Sequence, residues 1–551
     1  MRQKLVIFCV LYFATNCVEA QLSGSLESNA AYYIDDEKVK LESIDALNRL
    51  RSNNYIRLDY RHKNFTTGIQ IESYEKKALL NFSPQLNGTN VGTFYVNYKN
   101  DKLKFDATIG HFYTQFGSGL VLRTWEDRQL GIANSLNGIL VNYKPLNTIK
   151  ITTLFGRQRN GFAFDLTNSN VTGVNTEIEL STILKAKKIK YGLGLSYVNR
   201  NEANPFVANL TKNTFLSSFR SNLSIGGFSA EFEYAFKSKD ALVEFGNIRP
   251  EFLFDGDVYL ANLSYTKKNF GITTNLRRTE NFAMYSERKY AGNSYSQAIL
   301  NFVPALTKQY DYSLANIYVY AAQPSITFEP NRNKSGEIGG QVDVFFNAQK
   351  HTFWGGKYGT SFSANFSYWG GLQGRYDALQ RKYASPGFGL GEKYYSDFSI
   401  EVKKKWTKNW QSVITYLNQY YNTRYVEEAV GEVYANTIIV DNTHQLKKGK
   451  SIRWELQHQW SKGRFNNWVA GLVEYNFGSS FGVFASDLFN YGNSNKNNPL
   501  HFYNVGATYN KNAFRLQFSY GRQRGGLICV GGVCRFVPQS AGLNLTLNYS
   551  F

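Results

Sequence analysis

Segments of about ten residues with alternating apolar and polar side chains recur along this whole chain, and nothing else in it limits the fold as strongly. Ile56, Leu58 and Tyr60 point one way while Arg57, Asp59 and Arg61 point the other. Phe105, Ala107 and Ile109 alternate with Asp106, Thr108 and Gly110, and Ile189, Tyr191, Leu193, Leu195 and Tyr197 with Gly192, Gly194 and Ser196. Later segments repeat the pattern: Phe228, Phe232 and Tyr234 against Glu231 and Glu233, then Trp454, Leu456 and Trp460 against Arg453, Glu455 and Gln459. In a strand, successive side chains leave on opposite faces. A charged face opposite an unbroken apolar face needs water on one side and an apolar phase on the other. Repeated this often, it predicts strands with lipid outside and a wet lumen inside.

Composition agrees once it is read by face. Phe and Tyr number 41 and 39, and aromatics make up 16% of the chain, which suits aromatic girdles at two membrane interfaces. Proline is held to 10 residues, as long uninterrupted ladders require. The mean hydropathy is negative, because alternation hides an apolar face from an average. No mature segment carries the roughly 18 consecutive apolar residues of a spanning helix.

The N-terminus reads as an export signal. Arg2 and Lys4 precede an apolar core from Leu5 to Ala14, and Val18-Glu19-Ala20 offers a small-residue cleavage site before Gln21. Ala14-Thr15-Asn16 before Cys17 is a poor lipobox, so cleavage after Ala20 is expected rather than lipidation. Residues 1–20 are then a signal peptide and 21–551 one barrel domain. At the other end, Leu543, Leu545, Leu547, Tyr549 and Phe551 share one face of a final strand. Leu547, Tyr549 and the terminal Phe551 resemble the C-terminal signal that bacterial barrel-assembly machinery reads.

Connection lengths alternate as well. Short polar turns at Lys63-Asn64, Asn100-Asp101, 185–188, 267–269, 407–409, 447–450 and Lys511-Asn512 separate longer stretches such as 76–89, 159–173, 239–255, 371–393 and 525–537. Short periplasmic turns and long outer loops are the rule for outer-membrane barrels. With both termini periplasmic the strand number must be even. Strands at 295–303 and 310–322, joined by a turn at Pro304 to Gln309, restore that parity. The expected fold is all-β, a transmembrane antiparallel up-and-down barrel of about 26 strands, range 22 to 26.

Residues 115–136 break the pattern. Gly117 and Gly119 permit a bend, Leu120, Val121, Leu122 and Trp125 are apolar for an outer loop, and Arg123, Glu126, Asp127 and Arg128 crowd charge together. The segment, 115–133 in particular, is expected to fold into the lumen, its charges pairing with Arg57, Asp59, Lys104 and Asp106 to form a plug or constriction. Lumen-facing Arg57, Arg61, Lys104, Lys150, Arg277, Arg453 and Arg515 would favour anionic or polar solutes.

Cys529-Val530-Gly531-Gly532-Val533-Cys534 predicts a two-residue hairpin turn, with both glycines at positive φ. Cys529 and Cys534 then face each other within disulfide reach, in the oxidising compartment an exported chain enters. The stapled hairpin is expected to protrude outwards.

The net charge is +20, with basic residues scattered along the chain rather than clustered. In an exported barrel this points to lipopolysaccharide phosphates and anionic solutes, and away from nucleic acid. The six histidines lack metal-ligand spacing and no nucleophile motif occurs, so no enzyme, cofactor or metal is expected; His111 and His458 alone could lie near outer strand ends.

The stretches G-S-G-L-V-L-R-T-W-E-D-R-Q-L-G-I (117–132), P-A-L-T-K-Q (304–309), G-E-I-G-G-Q (336–341) and I-C-V-G-G-V-C-R (528–535) resemble a family of Bacteroidota outer-membrane proteins without an assigned function. The resemblance implies fold and location and no catalytic residue. The expectation is therefore an outer-membrane barrel acting as a porin- or channel-like pore with a partly occluded lumen. The alternative is a non-conducting structural or assembly component of an outer-membrane secretion or insertion complex, with protein partners.

Overall fold

The structure is a computed structural model describing residues 20–39, 49–75, 78–79, 85–186, 188–203, 210–244, 247–290, 293, 298–325, 334–377, 382–384, 387–427, 429, 431–463, 465–493, 500–530 and 532–551. Of the segment assigned to the leader, 1–20, residues 1–19 lie outside the described residues.

A single 24-stranded antiparallel sheet closes on itself. The first strand, Ala20–Tyr33, pairs with Leu50–His62 on one side and with the last strand, Ser540–Ser550, on the other. That seam runs from Ser25 opposite Ser550 to Tyr33 opposite Gly542, and Gly24 and Phe551 exchange backbone hydrogen bonds of 3.0 Å beyond it. Every other barrel strand pairs with its neighbours in chain order, so no edge is left open.

The observed 24 strands fall inside the expected range and two short of the count of about 26. Residues 298–303 and 310–322 are not strands. The chain passes from Phe270–Glu280 directly to Gly336–Ala348 as ladder partners, with Glu280 opposite Gly336. Parity could not expose the error, because deleting two strands leaves an even number. The 239–255 stretch also differs. It extends the strands Phe228–Glu244 and Asn247–Lys267 into a long hairpin rather than forming an irregular loop.

The outer face is apolar, as the alternation requires. Ile56, Ile109, Leu195, Phe232, Leu456, Phe518 and Leu545 are exposed along it. Two rings of aromatics bound this band. At the short-turn end Phe65 packs on Tyr98, Trp406 on Trp410, Phe477 on Phe481, and Tyr549 on Phe551. At the other end Tyr197 packs on Phe215, Tyr234 on Tyr259, and Tyr420 on Tyr434. Tyr434 and His444 end opposite rings on one strand, ten residues apart. That is about 33 Å along the strand, or about 25 Å along the axis at the usual tilt, the height of a barrel's apolar band. Among the described residues no helix is long and apolar enough to cross a membrane.

Candidate functional site

Inside the barrel the chain supplies its own filling, in two inserts that both enter from the long-loop end. The first joins Phe105–Phe112 to Leu136–Leu146. It bends at Gly117 and Gly119, both at positive φ where a side chain would be strained. Two tiny hairpins result, Gln115–Phe116 against Leu122–Arg123 and Glu126–Asp127 against Ile132–Ala133. Phe116, Val121 and Leu122 are fully buried, packed on inward-facing Leu136, Leu140, Leu154, Val171, Val198, Leu216 and Leu260 of the wall.

The charges of this insert find other partners than those expected. Arg128 donates to Glu27 at 2.6 Å and to Gln70 at 3.0 Å, and lies 4.1 Å above the Tyr55 ring. Gln70 also donates to Glu126 at 3.0 Å. Burial pushes the Arg128 guanidinium pKa down, but Glu126 and Glu27 more than offset this and hold it raised. Arg123 stacks 3.8 Å over Phe302, and Asp127 accepts from the Leu130 N–H at 2.9 Å. Arg57, the next inward residue below Tyr55, turns to Asp59 at 2.7 Å, and Asp59 also accepts from Tyr95. Asp106 is held by Asn97 at 2.6 Å, and Lys104 sits exposed in the turn at the opposite end of the barrel. The pairing of the insert with Arg57, Asp59, Lys104 and Asp106 is therefore not formed. Arg57 and Asp59 satisfy each other on one strand, and Asp106 is satisfied from the strand beside it.

The second insert, 281–335, replaces the two missing strands. It touches the wall almost all the way round. Ser286 bonds Gln158, and Arg200 donates to the Tyr285 carbonyl. Arg277 donates to the Pro304 carbonyl and Trp369 to that of Leu306. Tyr310 donates to Asp397, and Gln457 and Gln459 bracket Leu314. Leu314, Ile317, Tyr318 and Tyr320 form an apolar core with Trp369, Tyr395, Tyr421, Trp468 and Phe502 of the wall. Deeply buried ion pairs lie at its ends. Arg288 pairs with Glu202 at 2.7 Å and with Asp240 at 2.7 Å, and Asp240 is shared with Arg200. Arg277 pairs with Glu337 at 2.5 Å, and Glu337 also accepts from Tyr320 and from the Gln323 N–H. Desolvated charges of this kind are tolerated only when multiply bonded, as these are.

The sequence did hold a signal for this insert. Ile317, Tyr318, Val319 and Tyr320 are consecutive and apolar, which no strand with one wet face can be. Ile139-Leu140-Val141 and Val258-Tyr259-Leu260 are likewise apolar on both faces, because the lumen at their height is a dry core.

The Cys529–Cys534 disulfide is present, in the hairpin Gly526–Val530 with Val533–Val537, with Cα atoms 4.0 Å apart and Gly532 at positive φ. It folds inwards instead of protruding. The Ala305 N–H donates to the Gly532 carbonyl at 2.9 Å, and Cys534 Sγ lies 3.7 Å from the Tyr320 carbonyl oxygen. The four stretches that carried the resemblance thereby meet in the lumen. Phe302 N–H bonds the Gly119 carbonyl, Arg277 links Pro304 to Glu337, and Ala305 meets Gly532.

Towards the short turns the lumen changes character. A cavity of about 390 Å³ lies there, lined by Arg57, Arg61, Gln70, Tyr95, Asn97 and Thr108, with Phe112 and Leu140 at its inner end. Lys150 and Arg515 also face inwards at this end. Arg277 does not line any passage, being a buried anchor, and Arg453 is neutralised by Asp441, Glu455 and Glu474. His111 bonds the backbone of Phe94 and Ala163, and His458 bonds Tyr491. A larger depression of about 670 Å³ belongs to the lipid-facing surface, between Phe219, Phe232, Leu276, Phe366 and Phe388.

These features define a class, a large antiparallel β-barrel with an apolar outer band and a self-filled lumen. The chain belongs to a family of unknown function, DUF6029, whose model matches residues 1–551. No curated protein matches it. Among solved structures it is similar to a BenF-like porin from Pseudomonas fluorescens Pf-5, at 8% identity and TM-score 0.35, covering 85% of this chain and 97% of that one. It is also similar to the siderophore receptor PirA from Pseudomonas aeruginosa, at 7% identity and TM-score 0.41, covering 96% and 80%. A chain of an E. coli P pilus tip assembly intermediate scores 0.48 at 10% identity; this chain spans 96% of itself but 60% of that one. Likeness at this level carries no functional argument.

Proposed function

We propose that this protein is an outer-membrane barrel forming a gated passage for polar, chiefly anionic solutes, closed in this conformation by its own second insert. In this reading residues 1–20 are a cleaved signal peptide, and the face of Leu547, Tyr549 and Phe551 is read by the barrel-assembly machinery. The short turns face the periplasm, and lipopolysaccharide surrounds the long-loop end. The likeness to Bacteroidota outer-membrane proteins belongs to the same reading. The observation that carries it is the division of the lumen. Here the dry half stops at the inserts, and beneath it a cavity of about 390 Å³ opens beside Arg57 and Arg61, with Lys150 and Arg515 facing inwards at the same end.

A static scaffold for an outer-membrane assembly complex is the second reading. Buried charge favours it, since Arg288 of the insert pairs with Glu202 and Asp240 of the wall, and the wall pair Arg277–Glu337 hydrogen-bonds Pro304, Tyr320 and Gln323 of the insert. One experiment separates the two. Ser313 Oγ accepts from Gln457 at 3.0 Å, so Ser313→Cys with Gln457→Cys would tether the insert to the wall by a removable disulfide. In liposomes, the gated passage requires uptake of small carboxylates by the reduced protein and its loss on oxidation. Uptake that is absent in both states would leave the scaffold.

A further inference from the structure

The positive charge that is scattered in the sequence is gathered by the fold. The connections at the short-turn end carry exposed Lys63, Lys102, Lys185, Lys268, Lys408 and Lys448, and exposed Lys511 ends a strand in the remaining sector, so that the charges follow the circumference. Among the described residues of these connections, Asp101 is the one carboxylate, and Lys99 faces it at 3.6 Å. At the long-loop end acids and bases interleave instead, as Asp35, Asp36, Arg49, Glu202, Arg249 and Glu251 show. Three of these lysines are also placed at one height. Lys63 precedes Phe65, Lys268 precedes Phe270 and Lys408 precedes Trp410, each by two residues, so each charge lies just beyond the aromatic ring. Two residues are about 7 Å along a strand, the distance from the edge of the apolar band into the headgroup layer.

The backbone adds an independent sign. Lys63, Lys104, Lys185 and Lys448 occupy left-handed turn positions, with φ of 52°, 52°, 53° and 60°. Glycine or asparagine adopts that conformation with less strain, and lysine brings nothing to the turn itself. None of these four forms an ion pair among the described residues. Lysine at a strained position, without an internal partner, is explained by something outside the chain.

We infer that the short-turn rim is a binding ring for anionic phospholipid headgroups of the leaflet it meets. A protein partner would need charge on one sector or across the mouth. A ring that follows the whole perimeter, level with the aromatic girdle, matches the one surface that also surrounds the barrel completely. Basic residues at a membrane surface attract anionic lipid, and the attraction weakens with salt. The ring rests on the reading of the barrel as membrane-embedded and is independent of whether the lumen conducts.

The test uses the full chain, purified in a neutral detergent and incorporated into nanodiscs of phosphatidylcholine with one fifth phosphatidylglycerol. Lipid released from the immobilised protein after delipidating washes is counted by mass spectrometry. Wild type should retain phosphatidylglycerol at least five-fold above its bulk share, falling at least three-fold in 0.5 M salt. A variant with Lys63, Lys102, Lys185, Lys268, Lys408 and Lys448 all changed to Gln should lose that enrichment and still show the heat-modifiable gel mobility of a folded barrel. A second variant limited to Lys63→Gln, Lys185→Gln and Lys448→Gln should lose about half, and it stands in if the larger set misfolds. Enrichment unchanged by both variants overturns the proposal, as does loss of a stoichiometric acidic protein from native membranes with lipid retention intact. A barrel that inserts normally yet shows no phosphatidylglycerol preference rejects the ring and leaves the membrane reading standing. Failure of wild type to insert at all rejects both.

Discussion

The two inserts fill one lumen by different means. The first is short, bends at two glycines, and builds its own hairpins before it meets the wall. Its apolar run Leu120, Val121 and Leu122 and its charges Arg123 to Arg128 sit close together in sequence, so its oddity for an outer loop is visible locally. Among its described residues the second forms no strand, and its internal pairing is the isolated bridge of Tyr285 with Ile299. Its hydrogen bonds go to wall side chains on many strands, and its apolar residues match whatever sector lies beside them. Structure that is paid in local hydrogen bonds can be read from a short window of sequence. Structure assembled from long-range contacts cannot, because each partner lies tens or hundreds of residues away.

The contrast can be broken experimentally, and the effects should rank with the reach of the contact removed. Glu337→Ala should be the most disruptive. It strands the buried Arg277 charge and frees Tyr320, at a cost of about 3–5 kcal/mol. Limited proteolysis should then cut within 298–325 while the barrel itself stays folded. Leu122→Ala, a cavity at a fully buried position of the first insert, should cost about 3 kcal/mol, read as a lower denaturant midpoint in detergent micelles. Equal protease resistance of 298–325 in these two variants would show that the inserts form one cooperative unit. Removing the staple by Cys529→Ser with Cys534→Ser should cost about 2 kcal/mol, since the closed loop is small. Its effect should appear as faster hydrogen exchange near Ala305 and Tyr320, which the hairpin covers. Arg128→Ala should cost about 1–2 kcal/mol, because Glu27 and Glu126 are partly hydrated and can be resolvated. Stability that falls more for Arg128→Ala than for Glu337→Ala would reverse the ranking and the lesson drawn from it.

Much of the wall was legible. Exposed Ile56, Ile109, Leu195, Leu456 and Leu545 all lie on the face that alternation assigned to lipid, and the last strand closes on the first. The disulfide pairing followed from the two-residue Gly-Gly turn, which brings Cys529 opposite Cys534. The direction of that hairpin did not follow, because it depends on Ala305 and Tyr320, more than two hundred residues earlier. The strands expected at 295–303 and 310–322 failed for a related reason. Tyr318 and Tyr320 are apolar like lipid-facing residues, but the surface they face is Trp369, Tyr395 and Tyr421 inside the barrel. The expected partners of Arg128 were wrong because Arg57 had a carboxylate two residues away on its own face, and the nearest solution won.

By itself the sequence determined the period-2 wall, the alternation of turn lengths and the stapled turn, all of which follow from bonds and faces between near neighbours. Only the tertiary structure decided that the lumen is half dry and half charged. Only it decided that 281–335 is a plug rather than two strands, and that scattered lysines form a ring. Those outcomes depend on which residues a closed sheet of 24 strands brings to the same height, and closure is a property of the whole circumference that no short window contains.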